Sequence, residues 1–447
     1  MAVVVDCGQA RRVPQRESCY SLPSLRADSL SKESRSATRP RGLVPSRTDI
    51  APSRQLRYQC AMAIADSAVF TARDIRLDLF RGLALWFIFL DHIPNNTVSW
   101  LTVRNYGFSD ATEIFVFISG HTAVIAYCRM TTQEGWPRAA ARIYRRVWQL
   151  YVAHILLFVA FSAQVAWVSI ARDTPALIEE MQLLGFGQNP YQAILEAVLL
   201  RFRPVNLDLL PLYIVLLAAF PWVLPAVMRW PLGVIALSIA LYAVTCWYNW
   251  NLPAYPEGKV WYFNPMAWQV VFHVGAACAV LGPRLAWLDR FRWQMTALAA
   301  TYLLFSALIA LSWHSNPLER LVPDWVSRQI YPIDKTNLDV LRLVHFLAVA
   351  WLVRLLVPID APFLNWPIWQ PLRRCGEASL LIFCLGTFLA LSGQVIIDHY
   401  DDAILSQIGV SVAGIGIMCL AAYAAAWFRV SGPRLPEGAP TSARVDA

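Results

Sequence analysis

The sequence predicts an all-α, polytopic integral membrane protein of about ten transmembrane helices, on three observations. Of 447 residues, 57% are hydrophobic and 15% charged, with a mean hydropathy of +0.44, where a soluble domain is about one-quarter charged. The apolar residues fall in runs of about 20, the length that crosses a hydrocarbon core of roughly 30 Å. Arginines gather in alternate connectors between those runs, as membrane topology requires. In lipid every backbone polar group must be paired within the structure, so runs of this length are helices and not barrel strands of about 10 residues.

The chain begins with a stretch, residues 1–65, rich in Arg, Ser and Pro. It lacks the apolar core of a secretory signal and is expected to be a disordered basic tail. A second reading starts translation at Met62. Ten spans follow, at about 80–99, 110–128, 146–170, 207–228, 231–250, 264–282, 295–313, 338–357, 377–397 and 403–428, within a membrane-embedded domain at 72–430. Pro211, Pro221, Pro225 and Pro231 interrupt the pattern around spans four and five. An amphipathic piece, Tyr191 to Phe202, lies between spans three and four. Residues 431–447 form a second disordered tail. No internal repeat of the kind many transporters carry is evident.

Basic connectors before span one and after spans two, six, eight and ten place both termini in the cytoplasm. The formal net charge of +8 belongs to this topology, not to nucleic-acid binding. The nine cysteines lack paired or metal-ligand spacing, so neither a disulfide framework nor a metal is expected.

Ionisable residues inside spans are costly and default to functional candidates. Arg81 and His92 in span one are eleven residues apart, within about 20° of the same helix face and roughly 16 Å apart along the axis. A buried imidazole is a base near neutral pH, and an arginine at a membrane surface binds phosphate. Equally, Arg81 can snorkel to headgroups and His92 can hydrogen-bond a neighbour. Counting residues from each boundary puts His92 near the level of His121 in span two. Glu113, nearer the start of span two, is a candidate to hold the charge of a protonated histidine, or a solvated interfacial carboxylate. In span eight, Arg342 and His345 share a face. Arg342 is a candidate to hold a buried carboxylate, or to pair with Asp339.

Leu77-Asp78-Leu79-Phe80-Arg81-Gly82-Leu83-Ala84 with His92, Ile114-Phe115-Val116-Phe117-Ile118-Ser119-Gly120, and Arg142-Ile143-Tyr144-Arg145 resemble, in order, three motifs of the acyltransferase-3 family. Phe263-Asn264-Pro265-Met266-Ala267-Trp268-Gln269, Asp334-Lys335-Thr336-Asn337-Leu338 with Leu341 to Leu347, and Cys375-Gly376 through Phe383 to Gly386 resemble its OpgC branch. That resemblance covers most of residues 72–430; residues 1–65 have no counterpart in it.

The resemblance implies a bacterial inner-membrane O-acyltransferase that succinylates osmoregulated periplasmic glucans. Its partners would be the bilayer, an acyl-CoA co-substrate (succinyl-CoA) and a periplasmic glucan, with no permanently bound cofactor. On that reading His92 is the catalytic base, with Asp91 and Glu113 beside it. Arg81, Arg142, Arg145, Arg146 and Ser119 hold the acyl donor. Arg342, His345 and His121 serve the acyl carboxylate or the acceptor. Trp247, Tyr248, Trp250, Tyr255, Trp261 and Tyr262 offer faces for sugar rings or form an interfacial belt. Two alternatives remain: an O-acetyltransferase of another envelope polysaccharide, and a multi-spanning transporter.

Overall fold

The computed structural model describes residues 74–431 apart from 315, 321, 400 and 401, all within one compact unit. The expected tails at 1–65 and 431–447 lie outside the described residues, apart from Ser431, which is helical. Ten long helices follow the ten expected spans: α1 Ile75–Asp91, α2 Ala111–Glu134, α3 Trp136–Arg172, α4 Leu209–Arg229, α5 Pro231–Tyr248, α6 Pro265–Leu281, α7 Arg292–Ser312, α8 Val340–Leu356, α9 Ser379–His399 and α10 Ile404–Ser431. Among the described residues, seven helices are long and apolar enough to cross a membrane: α2, α3, α4, α5, the segment Arg284–Ser312 that contains α7, α9, and α10 through Arg429. Helices α1, α6 and α8 have 17 residues each, a rise of roughly 25 Å. The expected amphipathic piece is a short helix, Pro190–Val198. Among the described residues, strand structure is limited to a ribbon pairing Pro253 with Val260 and Ala254 with Lys259.

The helix boundaries have local causes. Asp110 and Glu113 form a reciprocal capping box that starts α2, satisfying amides that would otherwise be orphaned. Asn264 caps α6, with Pro265 at its first position, where a missing N–H costs nothing. Asp339 accepts from the Leu341 amide at the start of α8. Arg76, held against Asp74 at the start of α1, donates to the Val357 carbonyl just past the end of α8.

Helix α4 runs unbroken through Pro221 and Pro225, which disturb the sequence pattern. The 225 position has no N–H, so the Pro221 carbonyl loses its intrahelical partner. The indole of Trp136 on α3 donates to that carbonyl at 2.9 Å. The freed acceptor is thus paired from a neighbouring helix, which lipid burial demands.

The core is aromatic and lies among α2, α3, α4 and α6. Phe161, Phe220, Trp268 and Phe272 are fully buried. Helices α2 and α6 approach closely because each offers a glycine to the other's main chain. A Cβ on Gly120 would overlap the Phe272 backbone, and one on Gly275 the Phe117 backbone. The outward faces of α3, α7 and α10 carry exposed Leu156, Ile170, Leu304, Leu420 and Trp427, as expected where lipid is the solvent.

One boundary differs materially from the sequence expectation. The first span was expected to run to residue 99, but α1 stops at Asp91 and His92 is its C-cap. Pro94 explains this, since the residue before a proline is pushed out of the helical region. The chain then turns through short 3-10 segments at Thr97–Leu101 and Val103–Tyr106 before α2 begins. The cysteine expectation also needs correction at one position. Cys246, Cys278, Cys375, Cys384 and Cys419 are free, but Cys128 is disulfide-bonded.

Candidate active site

Helices α1 and α2 are antiparallel, and two contacts fix their register. At one end Arg81 Nη2 donates to Thr122 Oγ1 at 2.9 Å. At the other, His92, Asp110 and Thr112 line one cavity of about 560 Å³. His121 is therefore level with the Arg81 end, roughly 16 Å from His92 along the helices. The expectation that the two histidines share a depth is corrected. It failed because α1 begins and ends several residues earlier than the expected span at 80–99. His121 stacks on Phe117 and does not line the cavity.

The cavity is built by the end of α1, the 104–110 connector, the start of α2, residues 206–209, Tyr262 and Phe263, Trp313, the 331–335 loop and Arg342. His92 enters it as the C-cap of α1. Its Nδ1 is buried and has no hydrogen-bond partner among the described residues. Asp91, expected beside it in catalysis, turns elsewhere. Its carboxylate accepts from Thr102 Oγ1 at 2.7 Å and its carbonyl from Arg104 Nη1 at 3.2 Å, so it ties the connector to α1.

An ion quartet reaches the cavity through Asp110, Lys335 and Arg342. Arg342 of α8 donates from Nε to Glu113 Oε1 at 2.8 Å, and its Nη2 lies 3.1 Å from Asp110 Oδ2. Lys335 Nζ reaches the same Asp110 oxygen at 2.6 Å. Glu113 is fully buried and also accepts from the Asp110 amide at 2.9 Å. Two expectations change. Glu113 serves Arg342 and the helix cap, not a histidine. Arg342 pairs with neither Asp339 nor an open site, because two carboxylates of α2 occupy its fork. A second buried pair, Arg203 to Asp208 at 2.9 Å, borders the cavity through Asp208, and the Arg203 guanidinium stacks over Trp261 at 4.2 Å.

His345, expected with Arg342 at the acyl carboxylate, faces the connector instead. Ser109 Oγ lies 2.7 Å from its Nδ1, and the Ser109 amide donates to the same nitrogen at 3.3 Å. The Nε2 edge of the ring lies against Gly107, where a Cβ would overlap it. His345 is thus a latch that holds Gly107 to Ser109 in place as cavity wall.

The 331–335 loop is held more firmly than a surface connection needs. Asp334 accepts from the amides of Thr336 and Asn337. Trp268 of α6 donates to the Lys335 carbonyl at 3.1 Å. Asn264 binds the Asn337 side chain at 2.8 Å and Tyr242 of α5 binds the Leu338 carbonyl at 2.8 Å. Lys335 is presented to the cavity from this frame.

At the Arg81 end the expected donor residues are spread. Arg81 bonds Thr122 and lies 3.7 Å from Asp78. Ser119 is buried, and its carbonyl accepts from Thr122. Arg142 pairs with Glu134 at 3.0 Å, Arg145 is exposed, and Arg146 meets Gln149 at 3.2 Å. With 37 residues α3 is about 55 Å long, so its first turns extend past the apolar core and carry these arginines with them. Arg146 borders a separate groove of about 690 Å³ between α3, α9 and α10. Neither of these two cavities is lined by Arg81.

Of the expected sugar-stacking residues, Tyr262 lines the cavity. Trp247, Tyr248 and Trp250 are exposed and Trp261 is buried under Arg203. Trp313 and Tyr331 supply further aromatic surface at the cavity and were not singled out in the sequence; nor were Arg104, Asp110, Asp208 and Lys335. The intramembrane position of Asp110 and the Asp334-Lys335 motif were the available signals. His273 bonds Ser238 and Gln269 and His314 packs on Trp100; both fit structural roles.

Residues 73–430 match the family model described as OpgC protein. No curated protein matches the chain, and no solved structure does. The match spans about four-fifths of the sequence and takes in every described element that builds the cavity, and the chain belongs to the OpgC family.

Proposed function

We propose that the chain is a membrane-embedded O-acyltransferase that moves a succinyl group from a cytoplasmic acyl-CoA to hydroxyls of periplasmic glucans. Family membership supports an acyltransferase-type enzyme in glucan modification. The observation that carries the reading is His92, an imidazole at a helix end, with an unpartnered buried Nδ1, in a polar cavity with aromatic walls.

In this reading the cavity opens to the periplasm and admits a glucan hydroxyl, with a sugar ring against Tyr262, Trp313 or Tyr331. His92 takes the hydroxyl proton as the oxygen attacks the thioester carbonyl. The C–S bond breaks, and the proton passes to the departing CoA thiolate. General base catalysis of this kind contributes about 10²–10⁴-fold. The quartet of Arg342, Lys335, Asp110 and Glu113 fixes the wall against which the acyl group lies. Arg81 marks the opposite, cytoplasmic end of α1, and the basic turns at the start of α3 attract the CoA phosphates. Asp91 and His345 position the connector and do not touch the reacting atoms.

The test is transfer by the purified full chain in nanodiscs, supplied with succinyl-CoA and unmodified periplasmic glucan. Mass spectrometry of the glucan should show additions of succinyl mass. Absence of any acyl addition with succinyl-CoA and acetyl-CoA alike would overturn the assignment. Addition of acetyl alone would leave an acetyltransferase.

A further inference from the structure

From the charges on the cavity wall we infer that Lys335 and Arg104 form a carboxylate-binding subsite that selects an acyl group carrying a distal negative charge. The inference rests on the acyl-transfer reading and names the part of the site that sets its specificity.

Three cations line the cavity: Arg104, Lys335 and Arg342. Arg342 has its Nε and Nη2 on Glu113 and Asp110, and its side chain is 10% exposed. Opening that fork to a ligand would strand the buried Glu113 carboxylate, which costs more than one ligand contact returns. Lys335 differs. Its side chain is 28% exposed, and Asp110 takes one of the three donors an ammonium carries. Its backbone is fixed by Trp268 and the Asp334 turn, so little entropy is lost in aiming it. Arg104 is exposed and donates to the Asp91 carbonyl, which uses one of five N–H groups.

The balance of charge agrees. Arg342 and Lys335 are matched by Asp110 and Glu113, and Asp208 is matched by Arg203. The Asp91 carboxylate is turned to Thr102 and is not part of the lining. Arg104 is the lining cation whose hydrogen bond goes to a carbonyl and not to a carboxylate. One anion placed between Arg104 and Lys335 receives charge-assisted hydrogen bonds, the strong kind. A neutral acyl group of equal length leaves those donors without an acceptor.

The experiment compares succinyl-CoA with butyryl-CoA, which is equally long but ends in a methyl group. The full chain in nanodiscs is assayed as wild type, Lys335→Met, Lys335→Arg and Arg104→Met. The ratio of kcat/KM for succinyl over butyryl should fall by about tenfold or more in each methionine variant, and Lys335→Arg should retain most of it. An unchanged ratio in both methionine variants overturns the proposal. If Lys335→Met fails to fold because Asp110 loses a partner, Arg104→Met decides, since that guanidinium bonds a carbonyl and no carboxylate. A second arm needs no turnover: monomethyl succinate should raise the melting temperature of the wild type more than methyl butyrate does, and this difference should vanish in Arg104→Met. Carboxylate-dependent stabilisation without transfer from any donor would sink the transfer reading and keep the subsite. Transfer without any preference for the carboxylate would do the reverse.

Discussion

Arg342 on α8 and Glu113 on α2 are 229 residues apart in sequence and in direct contact, with Nε 2.8 Å and Nη2 2.6 Å from the same carboxylate oxygen. The contact joins two helices that share little other surface and sets one wall of the cavity. Removing one partner leaves a buried charge uncompensated, at a cost of about 3–5 kcal/mol. Arg342→Met should therefore lower the unfolding midpoint in detergent sharply. Arg342→Met combined with Glu113→Gln should recover part of the loss, because the stranded charge is gone. Equal loss in the single and double variants would show that the pair is not coupled.

Trp136 and Pro221 give a second prediction. The indole supplies the hydrogen bond that Pro225 removes from α4. Trp136→Phe keeps most of the ring and loses the donor, so the cost should be about 1–3 kcal/mol for one buried unsatisfied carbonyl. Thermal unfolding of the purified variant checks it. A variant as stable as the wild type would mean that water or lipid headgroups reach the carbonyl.

The latch at His345 is tested through a residue that bears no side chain. Gly107→Ala drives a methyl group into the imidazole and should break the Ser109 contact, displacing the 107–110 wall. Transfer should fall by about tenfold or more, as small misplacements of positioning elements do, while the melting temperature falls by only a few degrees. Ser109→Ala, which removes the hydroxyl and inserts nothing into the wall, should have a smaller effect. The reverse order would assign the serine hydroxyl a role of its own.

Much of the architecture was legible because lipid burial imposes a strong pattern. Each expected span has its helix, and even proline-rich α4 was placed within a few residues. The exception is where α1 stops. Residues 93–99 read Ile-Pro-Asn-Asn-Thr-Val-Ser, and Pro94 with the two asparagines after it is the local signal that the span ends there. That one boundary moved His92 from mid-helix to a cap, and separated it from His121. The partners of Glu113 and Arg342 were not legible for a different reason. Each was recognised as a costly intramembrane charge, but pairing across 229 residues depends on how α8 packs on α2, which no local pattern encodes. Lys335 lies within the motif Asp334-Lys335-Thr336-Asn337, and its place depends on Trp268 and Asn264 of the distant Phe263–Gln269 motif, which hold the same loop. The glycines of the quoted motifs proved to be packing devices: Gly120 admits α6, and Gly82 and Gly376 admit each other's helices.

Whether His92 is the base of an acyl transfer is read from glucan succinylation by the purified His92→Gln variant. Glutamine keeps polarity and approximate size, and His92 bears no ion pair whose loss would unfold the chain. With folding verified by its melting temperature, the rate should drop by about 10²–10⁴-fold with little change in KM for succinyl-CoA. A rate equal to that of the wild type would rule out His92 as the base.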